Sequence, residues 1–208
     1  MTNSHRTETR SGSTYAKLSF ALLLVVVASV ASNQRAASQQ NSTDVPKAGG
    51  TEIAPRGQRE GKDITYGDWR KLCFKPGGSK TLCRTSITGT FATGQVAVRV
   101  DIVEREGDAT ARLQVFSPVG MYLPNPVKLT VDQGKPHSVP YTWCLTNACI
   151  AGTAADPKMV KEMDSGQTLR LEFVDSNLLL LTTSLSLAQF ASIHKGAPAQ
   201  TLEQDIDE

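Results

Sequence analysis

Three segments of the chain alternate apolar and polar residues with the period of two that is typical of a half-buried β-strand. One is QVAVRVDIVER (Gln95–Arg105), which has three valines and an isoleucine on one side and Arg99 and Asp101 on the other. The others are PVKLTVDQG, which starts at Pro126, and TLRLEFVD, which starts at Thr168. Each segment is predicted to be a strand with one face in a core.

Further short apolar segments lie between turn-forming residues and predict six more strands. These are Ile64–Phe74, Thr81–Thr88, Ala111–Ser117, Ser138–Leu145, Ala148–Thr153 and Leu178–Ser184. About nine short strands separated by turns indicate an all-β domain, a sandwich or barrel of antiparallel strands.

Two short helices are predicted at the periphery of this β domain. DPKMVKEMDSG has Asp156 at the N-cap position, Pro157 at the first helical position and Gly166 as the stop signal. SLAQFASIHKG has Ser186 as its cap and apolar residues at helical spacing that extend to His194.

The N-terminus has the pattern of a secretory signal peptide. A polar segment with three basic residues precedes LSFALLLVVVASVA (Leu18–Ala31), which is uncharged. As a helix this stretch would span about 21 Å, less than the roughly 30 Å of a hydrocarbon core. We therefore expect residues 1–31 to be a cleaved signal peptide, or alternatively an uncleaved anchor. Both predict an exported protein, periplasmic or at the outer surface.

The next segment, Ser32–Asp63, is predicted to be a disordered polar linker. It contains no aromatic residue, and apart from alanine its aliphatic residues are Val45 and Ile53. Such a segment buries too little apolar surface to offset the entropy of ordering it. The predicted β-sandwich domain is then 64–199, and 200–208 is an acidic tail that we expect to be frayed.

Charge gives little indication of a nucleic-acid or membrane partner. Without residues 1–31 the chain has 19 basic and 19 acidic residues, and no run of lysines and arginines. Binding to nucleic acid or to an anionic membrane surface has no support from this balance. The expected partner is a protein of the envelope or of a host surface, with membrane contact only through the signal segment if it is uncleaved.

Four cysteines remain in the exported chain, and disulfides form and persist outside the cytosol. Cys144 and Cys149 flank a four-residue tip, and Cys73 and Cys83 are symmetric about Gly78. Each pair therefore brackets its own hairpin, where opposed side chains are close enough to bridge. Local pairing is the simplest connectivity, and the two crossed connectivities stay open.

Other uses of the four cysteines fit their spacing less well. Structural zinc sites use pairs with two to four intervening residues, whereas the first pair here has nine. Redox pairs and haem attachment require a two-residue spacing. No metal and no cofactor are expected.

Catalytic motifs are not evident in the sequence. The exported chain has two histidines, His137 in a predicted turn and His194 on the last helix, and we interpret both as structural. Asp68 in YGDW could serve as an acid, but a turn residue is the better interpretation. A hydrolase would need a nucleophile and base, for which the sequence gives no pair. We therefore expect no enzyme activity.

One loop stands out as a candidate recognition element. SPVGMYLPNPV (Ser117–Val127) has three prolines, which restrict it to extended or loop conformations. It is either an apolar recognition surface or a cover over the open end of the sandwich. The candidate recognition residues are Pro118, Met121, Tyr122, Leu123 and Pro124.

Three segments resemble the invasion-associated locus B family of exported alphaproteobacterial proteins. They are YGDWRKLC (Tyr66–Cys73), GMYLPNPVKLTVDQGKPHSVPYTWCLTNACIA (Gly120–Ala151) and SLAQFASIHKGAPA near the end. The resemblance implies an immunoglobulin-like sandwich, a periplasmic or surface location and, in pathogenic members, a role in host-cell entry. The family carries no established catalytic residues.

The sequence thus predicts an exported, non-enzymatic interaction protein, a disulfide-stapled β-sandwich associated with host-cell invasion. The alternative is a periplasmic structural or assembly factor that binds another envelope protein and has no host role.

Overall fold

The alternating segments form two β-sheets that enclose one apolar core. A computed structural model of the chain describes residues 52–61 and 63–204. Its strands are β1 (Gly57–Glu60), β2 (Ile64–Tyr66), β3 (Arg70–Pro76), β4 (Leu82–Phe91), β5 (Val96–Arg105), β6 (Ala111–Ser117), β7 (Val127–Val131), β8 (His137–Val139), β9 (Tyr141–Cys144), β10 (Cys149–Ala155), β11 (Thr168–Val174), β12 (Leu179–Ser186) and β13 (Gln200–Gln204), and its helices are α1 (Pro157–Ser165) and α2 (Phe190–Lys195).

The smaller sheet has the strand order β1-β12-β11-β7-β8, and the larger has the order β13-β3-β4-β5-β6-β10-β9, with β2 paired to β4. Val100, Ile102 and Leu113 of the larger sheet face Leu129 and Leu171 of the smaller one in the core. The prediction of an all-β sandwich with two short helices is confirmed. Most neighbours are antiparallel, but the edge strands β1 and β13 pair in parallel with β12 and β3.

Two predicted strands are each divided in the structure. The segment predicted as Ile64–Phe74 forms β2 and β3, which are separated by Gly67–Trp69. The segment predicted as Ser138–Leu145 divides at Pro140, which has no N–H for a sheet ladder. At this proline the chain leaves the smaller sheet and enters the larger one, so β8 and β9 belong to different sheets.

The first helix is capped as predicted, and the second is not. In α1, Asp156 Oδ1 accepts a hydrogen bond from the N–H of Met159 at 2.7 Å. In α2 the N-cap is Gln189, without a side-chain cap. The prediction of Ser186 as the cap is wrong, because Ser186 ends β12 and its hydroxyl accepts instead from the N–H of Ala188 in the following turn.

Two segments predicted to lie outside the domain are partly in it. The predicted linker 32–63 contains β1, and the two backbone groups of Ile53 exchange hydrogen bonds of 2.9 Å with the side chain of Asn125. The predicted tail 200–208 contains β13. Both strands are exposed and are held by backbone pairing, which apolar composition does not reveal. The predicted signal peptide, 1–31, lies outside the described residues.

A short segment around Trp69 joins the two sheets. The Tyr66 hydroxyl lies 2.8 Å from the Thr183 hydroxyl of β12, and Trp69 donates its Nε1–H to the Ser186 carbonyl, also at 2.8 Å. Tyr66 crosses β4 at Gly89, where a Cβ would come within 2.7 Å of its ring. Glycine is therefore needed for the close approach of β2 to β4.

The same segment also holds α2 in place. Trp69 is buried and meets the Phe190 ring edge to face, with 4.8 Å between the ring centroids. Two residues further on, Lys71 donates to the carbonyls of His194 and Gly196, at 2.7 and 3.3 Å. A lysine that caps the last carbonyls of a helix satisfies backbone acceptors that the helix itself cannot.

The four cysteines form the two local bridges that hairpin geometry predicts. Cys73 pairs with Cys83 across β3 and β4, and Cys144 with Cys149 across β9 and β10. In both bridges the cysteines are also direct partners in the strand register. The first bridge lies at the Arg105 end of β5 and the second near its Val96 end, so both ends of the larger sheet are stapled.

Removal of the N-terminal residues tests the corrected boundary. A chain that starts at Glu52 keeps every described contact, whereas a chain that starts at Asp63 loses β1 and the bonds between Ile53 and Asn125. At least four hydrogen bonds worth about 1 kcal/mol each are lost, and the entropy regained by the freed segment offsets part of this. We therefore expect the second truncation to lower the unfolding free energy by on the order of 2 kcal/mol. Chemical denaturation of both truncations measures this, and equal stabilities would contradict the boundary.

Candidate functional site

The proline-containing loop between β6 and β7, residues 118–126, closes one end of the sandwich. It leaves the larger sheet at Ser117 and enters the smaller one at Val127. The Tyr122 N–H donates to the Val174 carbonyl at 2.8 Å, and the Gly120 carbonyl accepts from Ser176 at 2.9 Å. These bonds to the end of β11 fix the loop in one conformation.

A second anchor joins this loop to the N-terminal segment. Asn125 is buried, with 3% of its surface exposed, and its side-chain amide bonds to both backbone groups of Ile53. Gly120 has a φ of +89°, a conformation that a residue with a side chain rarely adopts. The loop therefore has the fixed geometry that the prolines alone suggested.

The loop is both a cover and an exposed surface. Met121 packs against the core, Tyr122 is half-buried, and Leu123 and Pro124 are exposed. Val119, which no sequence pattern marks, is 49% exposed. The two interpretations of the loop thus apply to different side chains.

An apolar cavity of about 180 Å³ lies between the sheets beside this loop. Phe173 and Leu181 of the smaller sheet and Val98 of the larger sheet line it, and Pro118 and Met121 lie at the loop side. The lining is apolar for the most part, and it also includes the charged residues Arg59, Glu60 and Asp63. An apolar cavity of about 150 Å³ holds one benzene molecule. This cavity therefore has room for one aromatic ring or one branched aliphatic side chain.

Two further exposed apolar residues lie at the same end of the larger sheet. Val96 begins β5 where β6 finishes, and Leu145 follows Cys144 at the tip of the β9–β10 hairpin. Their exposures are 51% and 54%. The alternation grouped Val96 with the buried valines, but a register shift at Gly89 leaves it outside the core. We call the exposed residues Val96, Val119, Leu123 and Leu145 the loop end.

Polar groups near the loop end are structural hydrogen-bonding groups. Burial raises the pKa of Tyr141 to about 12, and its hydroxyl lies 3.4 Å from that of Ser117. Burial also raises the pKa of Tyr66, which bonds to Thr183. Neither phenol ionises at neutral pH. Asp68, considered above as an acid, is exposed at the turn before β3.

Both histidines pair with carboxylates. His137 Nε2 lies 2.7 Å from Glu162 Oε2, which links β8 to α1. The buried His194 has Asp164 3.3 Å from Nδ1 and Glu104 3.2 Å from Nε2, and its ring stacks on Phe190. The approach of Glu104 to Nε2 lacks the alignment of a hydrogen bond. These histidines link secondary-structure elements, and His194 is at the opposite end of β5 from the loop end.

Within residues 52–61 and 63–204, no three or more His, Cys, Asp or Glu side chains are grouped so that they could hold a metal ion. Over the same described range, no helix is both long and apolar enough to cross a membrane. What the loop end offers is an exposed apolar surface beside a small apolar cavity, which is suited to binding by shape and hydrophobic contact.

Comparison with known proteins identifies the family of this chain. No curated protein matches it. A solved structure, the invasion associated protein B of Bartonella henselae, is similar with a TM-score of 0.54 and 24% identity, over 62% of this chain and 88% of that one, which is a similarity of fold. The family model for the invasion associated locus B protein matches residues 69–198, more than half of the chain. The chain therefore belongs to the invasion associated locus B (IalB) family.

Proposed function

We propose that this chain is an exported, non-enzymatic interaction protein of the cell envelope or surface, and that its loop end binds a protein partner. The observation that carries the proposal is the concentration of four exposed large apolar side chains on one fixed end of the sandwich. Apolar residues gathered at one end of a protein surface mark interaction sites more often than apolar residues scattered singly do.

The neighbouring cavity indicates how a partner would be held. Protein interfaces draw most of their affinity from a few large side chains that fill desolvated pockets. A cavity of about 180 Å³ takes one such anchor, an aromatic or branched aliphatic side chain of the partner. The fixed loop and the Cys144–Cys149 bridge lower the entropy that would be lost on binding.

Export is supported by two independent features. The N-terminal residues have the order of a signal peptide, a basic region followed by a short uncharged apolar stretch. All four cysteines are in disulfides, and such bonds persist in oxidising compartments. The predicted location is the periplasm or the outer surface.

A role in host-cell invasion is the more specific part of the proposal. Its support is the name of the family and the name of the similar Bartonella henselae protein. The alternative is an assembly factor that binds another envelope protein within the periplasm. Surface labelling of intact cells separates the two, because a periplasmic protein is labelled only after the outer membrane is opened.

The proposal predicts the first residue of the exported protein and the number of its free thiols. Purified from the envelope or the medium, the protein should begin between Ser32 and about Gln39, and it should contain no free thiol before reduction and four after it. Intact-mass analysis with and without thiol alkylation measures both. Retention of residues 1–31 would contradict cleavage, and four reactive thiols would contradict oxidation in an exported compartment.

Substitution of Leu123 tests the binding surface. A photo-crosslinking residue placed at Leu145 should join the chain to a discrete partner in intact cells, and Leu123→Glu should remove that product. Because Leu123 is exposed, we expect its substitution to change the unfolding free energy by less than about 0.5 kcal/mol.

The control is Gln133→Glu, which adds the same charge at an exposed turn at the opposite end of β7 from the loop. This control should leave the cross-linked product in place. Equal loss from both variants, or an unchanged product in Leu123→Glu, would exclude the loop end as the binding surface.

A further inference from the structure

The register of the larger sheet collects arginines on its outer face. Residues directly opposite each other in antiparallel strands point to the same side, and alternate residues of one strand share that side. The core side is identified by Val100 and Ile102. The outer side therefore carries the even-numbered residues of β3 and β4 and the odd-numbered residues from Arg99 to Arg105 of β5.

Three rows of partners contain four of these arginines. The middle row consists of Arg70, Ser86, Asp101, Gln114 and Gly152. The row on one side of it consists of Leu72, Arg84, Val103, Arg112 and Ala154. The row on the other side consists of Thr88, Arg99, Phe116, Ile150 and Trp143. A further row contains Leu202, Phe74, Leu82 and Arg105. We call the five arginines of these rows the basic face: Arg70, Arg84, Arg99, Arg105 and Arg112.

The basic face is only partly neutralised. Its rows contain a single acid, Asp101, whose Oδ2 lies 3.2 Å from Arg99 Nε. Asp101 is 1% exposed, and burial raises its pKa against the opposing effect of Arg99 and Arg84. Among the described residues, no carboxylate lies within 4.0 Å of the guanidinium groups of Arg70, Arg105 or Arg112. These three side chains are exposed and available to an outside anion.

The dimensions of the basic face suit an extended anionic surface. Arg70 and Arg112 are three strands apart, which is about 14 Å, and Arg99 and Arg105 are six residues apart, which is about 20 Å. An area of this size can contact several anionic groups at once.

Apolar side chains flank the arginines on both sides. Phe74 and Leu202 lie at the β13 edge, and Trp143 lies on β9 at the opposite edge, with exposures of 36%, 48% and 52%. Sites that bind a membrane surface combine two kinds of residue. Their basic side chains contact the lipid phosphates, and neighbouring aromatic and aliphatic side chains enter the headgroup region. A soluble sulfated polyanion such as heparin would use the arginines and leave the flanking aromatic and aliphatic residues unused.

We propose that the outer face of the larger sheet binds the surface of a membrane rich in anionic phospholipid headgroups. The balanced charge of the whole chain does not oppose this, since the rows of the basic face hold five arginines and one carboxylate. Further carboxylates, those of Glu104, Glu106 and Asp108, lie beside Arg105 at one end of the face. The proposal is independent of the loop end and of the protein partner proposed for it.

Vesicle binding tests the proposal with the exported chain. The probes are vesicles of phosphatidylcholine with and without phosphatidylglycerol, and all variants share the same N-terminus. We expect partition onto the anionic vesicles, loss of binding in high salt, and a blue shift of tryptophan fluorescence that Trp143→Phe abolishes. Leu123→Glu should bind the vesicles like the wild type, so failure here and failure of the loop end are distinguishable.

The key variant is Arg70→Gln with Arg112→Gln, both exposed. Each basic residue near an anionic surface contributes about fivefold, so the pair should weaken partition by roughly tenfold or more. Lys158→Gln with Lys161→Gln on α1 changes the net charge equally and should have little effect. Asp101→Asn should strengthen binding. Thermal unfolding confirms that each variant is folded.

Three outcomes would overturn the proposal. An equal loss of vesicle binding in the double arginine variant and the double lysine variant would mean that binding follows net charge. Equal partition onto vesicles with and without phosphatidylglycerol would remove the role of the arginines. Binding to heparin without binding to anionic vesicles would assign the basic face to a soluble polyanion.

Discussion

The fold depends on the placement of Trp69 between the two sheets and α2. Its Nε1–H bonds to the Ser186 carbonyl at the end of β12, while its ring packs against Phe190. Tyr66, three residues earlier, adds a second polar link to β12. Buried polar groups are costly when unpaired, so these two bonds restrict how the sheets can be aligned. That alignment determines the spacing of the core and therefore the cavity between the sheets.

The two disulfides extend this constraint to the ends of the larger sheet. The Cys73–Cys83 bridge lies beside α2, and the Cys144–Cys149 bridge lies beside the loop end. Between them, the loop from residue 118 to 126 is held by backbone bonds to the smaller sheet and by Asn125. The apolar residues of the loop end are thus displayed on a rigid support. A surface of this kind can bind a partner without a conformational change and without catalytic groups.

Much of the fold could be predicted because it rests on local patterns. The alternation in β5, β7 and β11, the capping signals of α1 and the turn residues within each cysteine pair all act over a few residues. The exposed edge strands β1 and β13 could not be predicted, since their pairing uses backbone groups and leaves almost no trace in composition. Pro140 predicts a break in a strand, but the sequence does not show that the chain crosses from the smaller sheet to the larger one there, because that depends on which strands β8 and β9 pair with.

The candidate site, like the fold, could be predicted only where it depends on local sequence. The prolines marked residues 118–126 as a rigid apolar loop, and Met121 and Leu123 were named with it. The contribution of Val96 depends on a register shift, and the basic face depends on which strands are neighbours. The overall charge is near zero because acids elsewhere in the sequence balance these arginines, and a count of residues cannot show that the strand register separates them. Long-range pairing is the information that the sequence patterns lack.

The two tryptophans have a division of roles, in which Trp69 holds the sheets together and Trp143 lies on the surface. The unfolding free energies of Trp69→Phe and Trp143→Phe test it most directly. We expect the first substitution to lower stability by on the order of 2 kcal/mol, because it removes a buried hydrogen bond and ring contacts. The second should change it by less than about 0.5 kcal/mol, since that side chain is half exposed. Equal losses, or a larger loss for Trp143→Phe, would contradict the account.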